Sequence, residues 1–391
     1  MAQLGILYTG DDMLKKIFTV ISAAAVMMTG INVSAETLPE SYSRSYVLME
    51  AETHTVIREN SGDKRVRMGS FNKLMTVLLA AEAMDRGELS FDTVLCASEH
   101  ANSMQGAQIW LMPGEKMTLG DLLKGIIIGN ANDACCVIAE KIGGSEEKFT
   151  ELMNSRAAQL GMKDTLFTEC TGYYGDDGQY TTAYDAALLL CELSKHDELT
   201  EMFTTRIDEL KDGEVQLVTA NRMGHRYKGS VGFKCGTGRS SGYFAAEGAR
   251  RDDICFVAAV MDCPDEDIAM ALAKELLDIG FDGYIMTSPA VSDELPDCIP
   301  VKQGCSESVR LSVEPVGNAV VPKGSAGDIT ARISLPSSVY APLKKGDKIG
   351  ELRLYIGKRL LKTCDICAAE DICKKDMEYV LSEMLKNLFC F

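Results

Sequence analysis

A serine followed three residues later by a lysine is the part of this sequence best suited to catalysis. Ser70 and Lys73 precede an apolar run, residues 74–81, that contains neither Gly nor Pro. The run predicts a helix, and a spacing of three residues places both side chains on one face of it. A serine hydroxyl needs a base within hydrogen-bond reach to act as a nucleophile. Lysine can be that base when burial lowers its pKa, so the pair predicts nucleophilic catalysis.

Two later elements carry polar groups that a Ser-Lys pair would need. Ser-x-x-Lys alone is weak evidence, because a capping serine followed by a solvated lysine has the same spacing. Asn130-Ala131-Asn132 directly follows an apolar helical stretch that ends at Gly129. Lys234-Cys235-Gly236 lies in a stretch, residues 230–237, with strand character. The asparagine motif supplies side-chain amides, and the later motif supplies the positive charge of Lys234.

Composition narrows the class of function. The chain of 391 residues is long enough for two domains, and its formal net charge of −17 disfavours nucleic acid as a partner. The chain has only four histidines, namely His54, His100, His196 and His225. A Ser-His-Asp triad would have to use one of these four. No two of them have the spacing of metal ligands. A lysine-driven serine mechanism is therefore the simpler interpretation, and it needs no metal or cofactor.

The fourteen cysteines do not form a regular disulfide framework. Cys135 and Cys136 are adjacent on a predicted helix, and Cys364-x-x-Cys367 is the one close pair with redox or metal spacing. We expect most of these residues to be free thiols packed as small hydrophobic side chains.

The N-terminus has the pattern of a secretory signal peptide. Lys15 and Lys16 precede an apolar run, residues 17–28, that is too short to span a bilayer, and a small-x-small site ends at Ala35. We interpret residues 1–35 as a signal peptide with an over-long start, in which translation begins at Met13 and residues 1–12 precede the true initiator. An uncleaved anchor is the alternative. The mature protein is therefore expected to be exported.

The order of predicted elements indicates an α+β domain over residues 36–285. A hairpin of strands at 46–49 and 55–57 comes first, and strands at 230–237, 243–249 and 254–260 come last. Helices are predicted between them and over 265–279. Strands at both ends favour one antiparallel sheet that is closed by the two terminal segments and covered by helices.

The remaining sequence predicts two smaller units. Short strands at 308–313, 329–335 and 351–356 indicate a C-terminal β-domain, residues 292–370. Residues 374–391 form an amphipathic stretch with an apolar stripe. Two interpretations of this stripe stay open, namely packing on the protein itself and peripheral contact with a membrane.

The three motifs together resemble the set that characterises the penicillin-recognising serine enzymes. Sequences around them, such as Ala139–Ser145, Thr182–Asp185 and Ser241-Gly242-Tyr243, are similar to those of D-alanyl-D-alanine carboxypeptidases of the S11 type. These are low-molecular-weight penicillin-binding proteins. The turn at 341–350 resembles part of their second domain, so the resemblance covers nearly all of the mature chain. It implies a penicillin-binding-protein/β-lactamase-like transpeptidase domain followed by a small β-sandwich domain.

The resemblance also implies a role for each motif residue. Ser70 would attack the terminal D-Ala-D-Ala bond of a peptidoglycan stem peptide, with Lys73 as general base. Asn132 would hold the substrate amide, and Lys234 would bind its terminal carboxylate. The backbone N–H groups of Ser70 and Thr237 would form the oxyanion hole. β-Lactam antibiotics would be covalent inhibitors.

Two positions depart from the family pattern. Asn130 stands where the family has a serine that passes a proton to the leaving amine, and Cys235 stands where it has a threonine that donates to the substrate carboxylate. These departures support one alternative, a non-catalytic relative that binds stem peptides. A β-lactamase is a second alternative because it shares the motifs, and Glu151 is the nearest candidate for its deacylating residue.

Overall fold

The computed structural model describes residues 45–173, 178–238, 241–289, 295–377, 379–381 and 384. The predicted signal peptide and most of the predicted last helix lie outside these residues. Eight α-helices within the described part, α1 to α8 in chain order, are Lys73–Asp85, Glu99–Ser103, Leu119–Ile127, Asn132–Gly143, Glu146–Leu160, Ala183–Leu193, Thr200–Thr204 and Glu266–Gly283. None of the described helices is both long enough and apolar enough to cross a bilayer.

One five-stranded antiparallel sheet organises the larger domain. Its strands are β1 (Ser45–Glu50), β2 (Val56–Asn60), β7 (Ser230–Gly236), β8 (Tyr243–Arg251) and β9 (Ile254–Cys263), in the order β2-β1-β9-β8-β7. The predicted pairing of the two terminal segments is confirmed, because β1 pairs antiparallel with β9. Strand β7 lies at one edge of the sheet and contacts both α7 and the turn Gly69–Asn72.

Helices pack on the sheet and enclose α1. The helix α8 contacts β8 and β9, whereas α6 contacts β1 and β9. Every residue of α1 from Lys73 to Ala81 is buried. Residues 73–81 of α1 therefore have no side that faces solvent, which is typical of a helix in the core of a protein. Short connecting strands complete the domain: β3 (Val94–Cys96), β4 (Lys116–Thr118), β5 (Ile207–Leu210) and β6 (Val215–Val218).

The C-terminal region is β-rich, as predicted. Six of its strands form one sheet in the order β14-β16-β17-β12-β11-β15. The strands are β10 (Tyr284–Thr287), β11 (Cys298–Lys302), β12 (Ser308–Val313), β13 (Ala319–Pro322), β14 (Ile329–Ser334), β15 (Val339–Tyr340), β16 (Lys348–Ile356) and β17 (Arg359–Ala368). Cys305 and Cys373 form a disulfide across this region. This pair is a correction to the expectation of free thiols, which does hold for eleven other described cysteines.

Candidate active site

A tight turn, rather than the first turn of an α-helix, carries the predicted nucleophile. Residues Gly69–Asn72 form a 3₁₀ turn, and α1 begins only at Lys73. Gly69 has φ +52°, and a Cβ there would lie 2.6 Å from the backbone nitrogen of Gly238. Only glycine fits this position without strain or a clash. The turn therefore presses Ser70 against the C-terminal end of β7, and Ser70 is only 7% exposed.

The edge strand β7 brings the third motif to the same place. A Cβ on Gly236 would lie 2.7 Å from Ser70 Oγ, so the absent side chain leaves room for the hydroxyl. The backbone N–H of Ser70 donates to the carbonyl of Thr237 over 3.4 Å, a long hydrogen bond. The bond therefore occupies one of the two N–H groups that were predicted to form the oxyanion hole.

Lys73 lies in a dry environment, as the predicted chemistry requires. Its side chain is 2% exposed, and its Nζ donates to the carbonyl of Thr171 over 2.6 Å. Burial lowers the pKa of Lys73 from its ordinary value of 10.5, and nearby acidic groups oppose this only in part. A lower pKa leaves a larger fraction of the amine neutral, and the neutral amine can accept the proton of Ser70.

A second buried lysine lies close to the first. Lys234 is 8% exposed, and burial, followed by the charge of Lys73, lowers the pKa of Lys234 to about 7. Both amines also act on Cys135, a buried thiol on α4 whose pKa is raised to about 12 chiefly by desolvation. Both lysines therefore lie close to α4, and Ser70 packs against the strand that carries Lys234. Within the described residues, Lys234 forms no ion pair that would neutralise it.

Of the two asparagines in the second motif, Asn130 lies between α3 and α4 and Asn132 is the first residue of α4. Asn132 is buried, and its Nδ2 donates to the carbonyl of Gln105 over 2.5 Å. The Oδ1 atoms of Asn130 and Asn132 are both buried without a hydrogen-bond partner among the described residues. An unpaired buried acceptor is costly, and a substrate N–H would satisfy it. Asn130 has φ +59°, a conformation that asparagine adopts more readily than most residues.

The thiol of Cys235 has a partner within the protein. Its Sγ donates to Glu266 Oε1 over 3.3 Å, at the first residue of α8. Burial and the carboxylates of Glu247 and Glu266 keep the pKa of this thiol well above its ordinary value. The side chain of Thr237 donates to the carbonyls of its own loop, among them that of Ser241. The substrate-binding roles of Cys235 and Thr237 stay predictions.

A turn that the sequence did not indicate, residues 169–172, accepts hydrogen bonds from α1 and from the 3₁₀ turn before it. The carbonyls of Glu169, Cys170 and Thr171 accept from Asn72 Nδ2, Thr76 Oγ1 and Lys73 Nζ, respectively. The carboxylate of Glu169 accepts from the N–H groups of Thr171 and Gly172, which fixes the turn. These contacts span up to 98 residues of sequence, so no local pattern could have revealed them.

Comparison with known proteins decides the family. Residues 32–265 match the model of the D-alanyl-D-alanine carboxypeptidase family, and residues 284–374 match that of the penicillin-binding protein 5 C-terminal domain. The chain is 33% identical to D-alanyl-D-alanine carboxypeptidase DacF of Bacillus subtilis, covering 85% of this chain and 86% of that one. The chain belongs to the D-alanyl-D-alanine carboxypeptidase family.

Other proteins of this kind are similar to the chain over most of their length. The chain is 26% identical to DacA of Escherichia coli K12, covering 94% and 93% of the two chains. The solved structure of penicillin-binding protein 5 from Haemophilus influenzae superposes with a TM-score of 0.76 at 24% identity, covering 86% of this chain and 99% of that one. The fold class predicted from the sequence, a transpeptidase domain followed by a β-rich domain, is therefore confirmed.

Proposed function

We propose that the protein is a serine-type D-Ala-D-Ala carboxypeptidase that removes the terminal D-alanine from peptidoglycan stem pentapeptides. The observation that carries this proposal is the convergence of Ser70 with two buried lysines, one of which has no ion-pair partner in the described part of the chain. A buried cation without a counterion is suited to the terminal carboxylate of a peptide. Family membership supports the same reaction.

The proposed reaction proceeds in two steps. Ser70 Oγ attacks the carbonyl carbon of the D-Ala-D-Ala bond while Lys73 takes its proton, and the C–N bond breaks to release D-alanine as the amine gains a proton. Water then hydrolyses the ester on Ser70. Asn132 Oδ1 would accept from the substrate amide, and Lys234 would bind the carboxylate. We also propose that β-lactams acylate Ser70, and that the protein acts outside the cytoplasmic membrane after export.

Release of D-alanine from a peptide ending in L-Lys-D-Ala-D-Ala tests this function. The wild-type protein should release D-alanine, and Ser70→Ala should not. A protein that binds the peptide reversibly without releasing D-alanine would instead be the non-catalytic relative, which Asn130 and Cys235 favour. A β-lactamase would need a carboxylate that activates the deacylating water. Glu151 is exposed on α5, and the carboxylate of Glu169 accepts hydrogen bonds from its own turn, so neither residue suits this role.

Replacing Asn130 with serine should raise the rate of D-alanine release by roughly 10-fold or more. A serine hydroxyl can pass a proton to the leaving amine, whereas an amide cannot readily do so. The left-handed backbone at this position, φ +59°, makes the substitution slightly destabilising. The matched variant Asn130→Ala, which cannot relay a proton, should show no gain. An equal or slower rate for Asn130→Ser would show that the amide has a role of its own.

A further inference from the structure

A cluster of metal-ligating side chains lies behind the 169–172 turn, outside the proposed active site. His100 on α2, Cys136 on α4 and Glu146 at the start of α5 place one ligand atom each within 4.8 Å of one another. Glu146 also groups with Glu169 and Cys170 at the same separation. Three helices and the turn therefore meet around the carboxylate of Glu146.

The contacts of Glu146 show how the cluster is arranged. One carboxylate oxygen, Oε2, lies 2.7 Å from His100 Nε2. The other, Oε1, lies 3.4 Å from the Sγ of Cys170 and accepts from the backbone N–H of the same residue. The carboxylate of Glu169 is instead committed to the backbone of its own turn. The cluster therefore offers one imidazole, one thiol and one carboxylate, from His100, Cys136 and Glu146.

This set of donors matches the chemistry of zinc. Zinc prefers thiolate, imidazole and carboxylate ligands in tetrahedral geometry, with its ligand atoms about 3.3–3.8 Å apart. Movements of roughly 1 Å would bring the three side chains to this geometry. Cys136 is fully buried, whereas His100 is 52% exposed, so the site has a protected side and an entry path for the ion.

We propose that His100, Cys136 and Glu146 bind one zinc ion. The ion would join α2, α4 and α5, and Glu146 would link it to the 169–172 turn through the backbone N–H of Cys170. The carbonyl of Cys170 accepts from Thr76, and that of its neighbour Thr171 accepts from Lys73. The zinc ion has a structural role here and takes no part in the proposed reaction.

Titration of the full-length, reduced protein with Zn²⁺ and Co²⁺ tests this proposal. Wild-type protein should bind one ion per chain, the Co²⁺ form should show thiolate-to-cobalt charge-transfer absorption, and Zn²⁺ should raise the midpoint of thermal unfolding. His100→Ala changes a half-exposed side chain and should still fold. This variant and Cys136→Ser should each weaken Zn²⁺ binding roughly 10²-fold or more.

Two control variants make the titration specific. His54→Asn replaces an exposed histidine, and Cys191→Ser replaces a buried cysteine on α6, so both should bind Zn²⁺ like the wild-type protein. The proposal is overturned if the wild-type protein shows no charge-transfer absorption. It is equally overturned if His100→Ala and Cys136→Ser bind Zn²⁺ as tightly as the two controls do.

Discussion

Replacing Lys73 with methionine is expected to slow acylation of Ser70 by a penicillin roughly 10²–10⁴-fold. The amine is the one buried base in the described residues that lies one helical turn from the serine. Methionine has a similar volume, so the packing of α1 should survive. It leaves the carbonyl of Thr171 without its donor, which costs about 1–3 kcal/mol of stability.

The rate of adduct formation, followed by intact-mass measurement, checks this expectation. The matched control is Lys141→Met, which removes an exposed lysine on α4 and should acylate like the wild-type protein. A cooperative unfolding transition must also be recorded for Lys73→Met, so that slow acylation is not confused with loss of the fold. Acylation of Lys73→Met at the wild-type rate would show that another group acts as the base.

Replacing Lys234 with methionine is expected to stabilise the protein near pH 6 while weakening substrate binding. The pKa of Lys234 is lowered from 10.5 to about 7, so at intermediate pH the unfolded chain binds a proton that the native state does not. The native state therefore loses stability as the pH falls from about 10 towards 7, by up to about 4 kcal/mol. Methionine does not titrate, so Lys234→Met should not lose stability in this way as the pH falls. The substitution also removes the positive charge that is proposed to bind the substrate carboxylate.

Unfolding in urea at about pH 6 and about pH 10 measures this effect directly. Lys234→Met should have the larger free energy of unfolding at the lower pH, and the difference from the wild-type protein should shrink at the higher pH. Lys228→Met removes an exposed lysine just before β7 and should show neither effect. Equal stabilisation at both pH values would contradict the view that burial of this amine is the cause.

The helices and strands of the larger domain could be predicted because their sequence patterns are local. The run after Lys73 contains no helix breaker, and α1 spans Lys73–Asp85 as that pattern indicates. The strands β7 to β9 were predicted within a few residues for the same reason. The 3₁₀ turn at Ser70 was not predicted, since it depends on the packing of Gly69 against Gly238, 169 residues away in sequence.

The cysteines show what a spacing argument can and cannot reveal. Cys364 and Cys367 are free thiols, as expected, because both lie on β17, where a separation of three places side chains on opposite faces of the sheet. Cys305 and Cys373 do pair, across 68 residues that no local pattern connects. The zinc ligands proposed above are likewise brought together only by the packing of three helices.

The three motifs could be assigned to elements from the sequence because each lies in or beside one local element. Ser70 lies on the turn before α1, Asn132 begins α4, and Lys234 lies on an edge strand. The sequence could not show that the Ser70 N–H is already bonded to the carbonyl of Thr237, or that the thiol of Cys235 donates to Glu266. Both depend on contacts between elements that are distant in sequence.

Intact-mass measurement after incubation with a penicillin tests the proposed acyl-enzyme most directly. The wild-type protein should gain the mass of one penicillin, and peptide mapping should place it on Ser70. Ser70→Ala should gain no mass, whereas the control Ser90→Ala, at an exposed serine, should react like the wild-type protein. An unmodified wild-type protein, or an adduct that persists in Ser70→Ala, would contradict the proposal that Ser70 is the nucleophile.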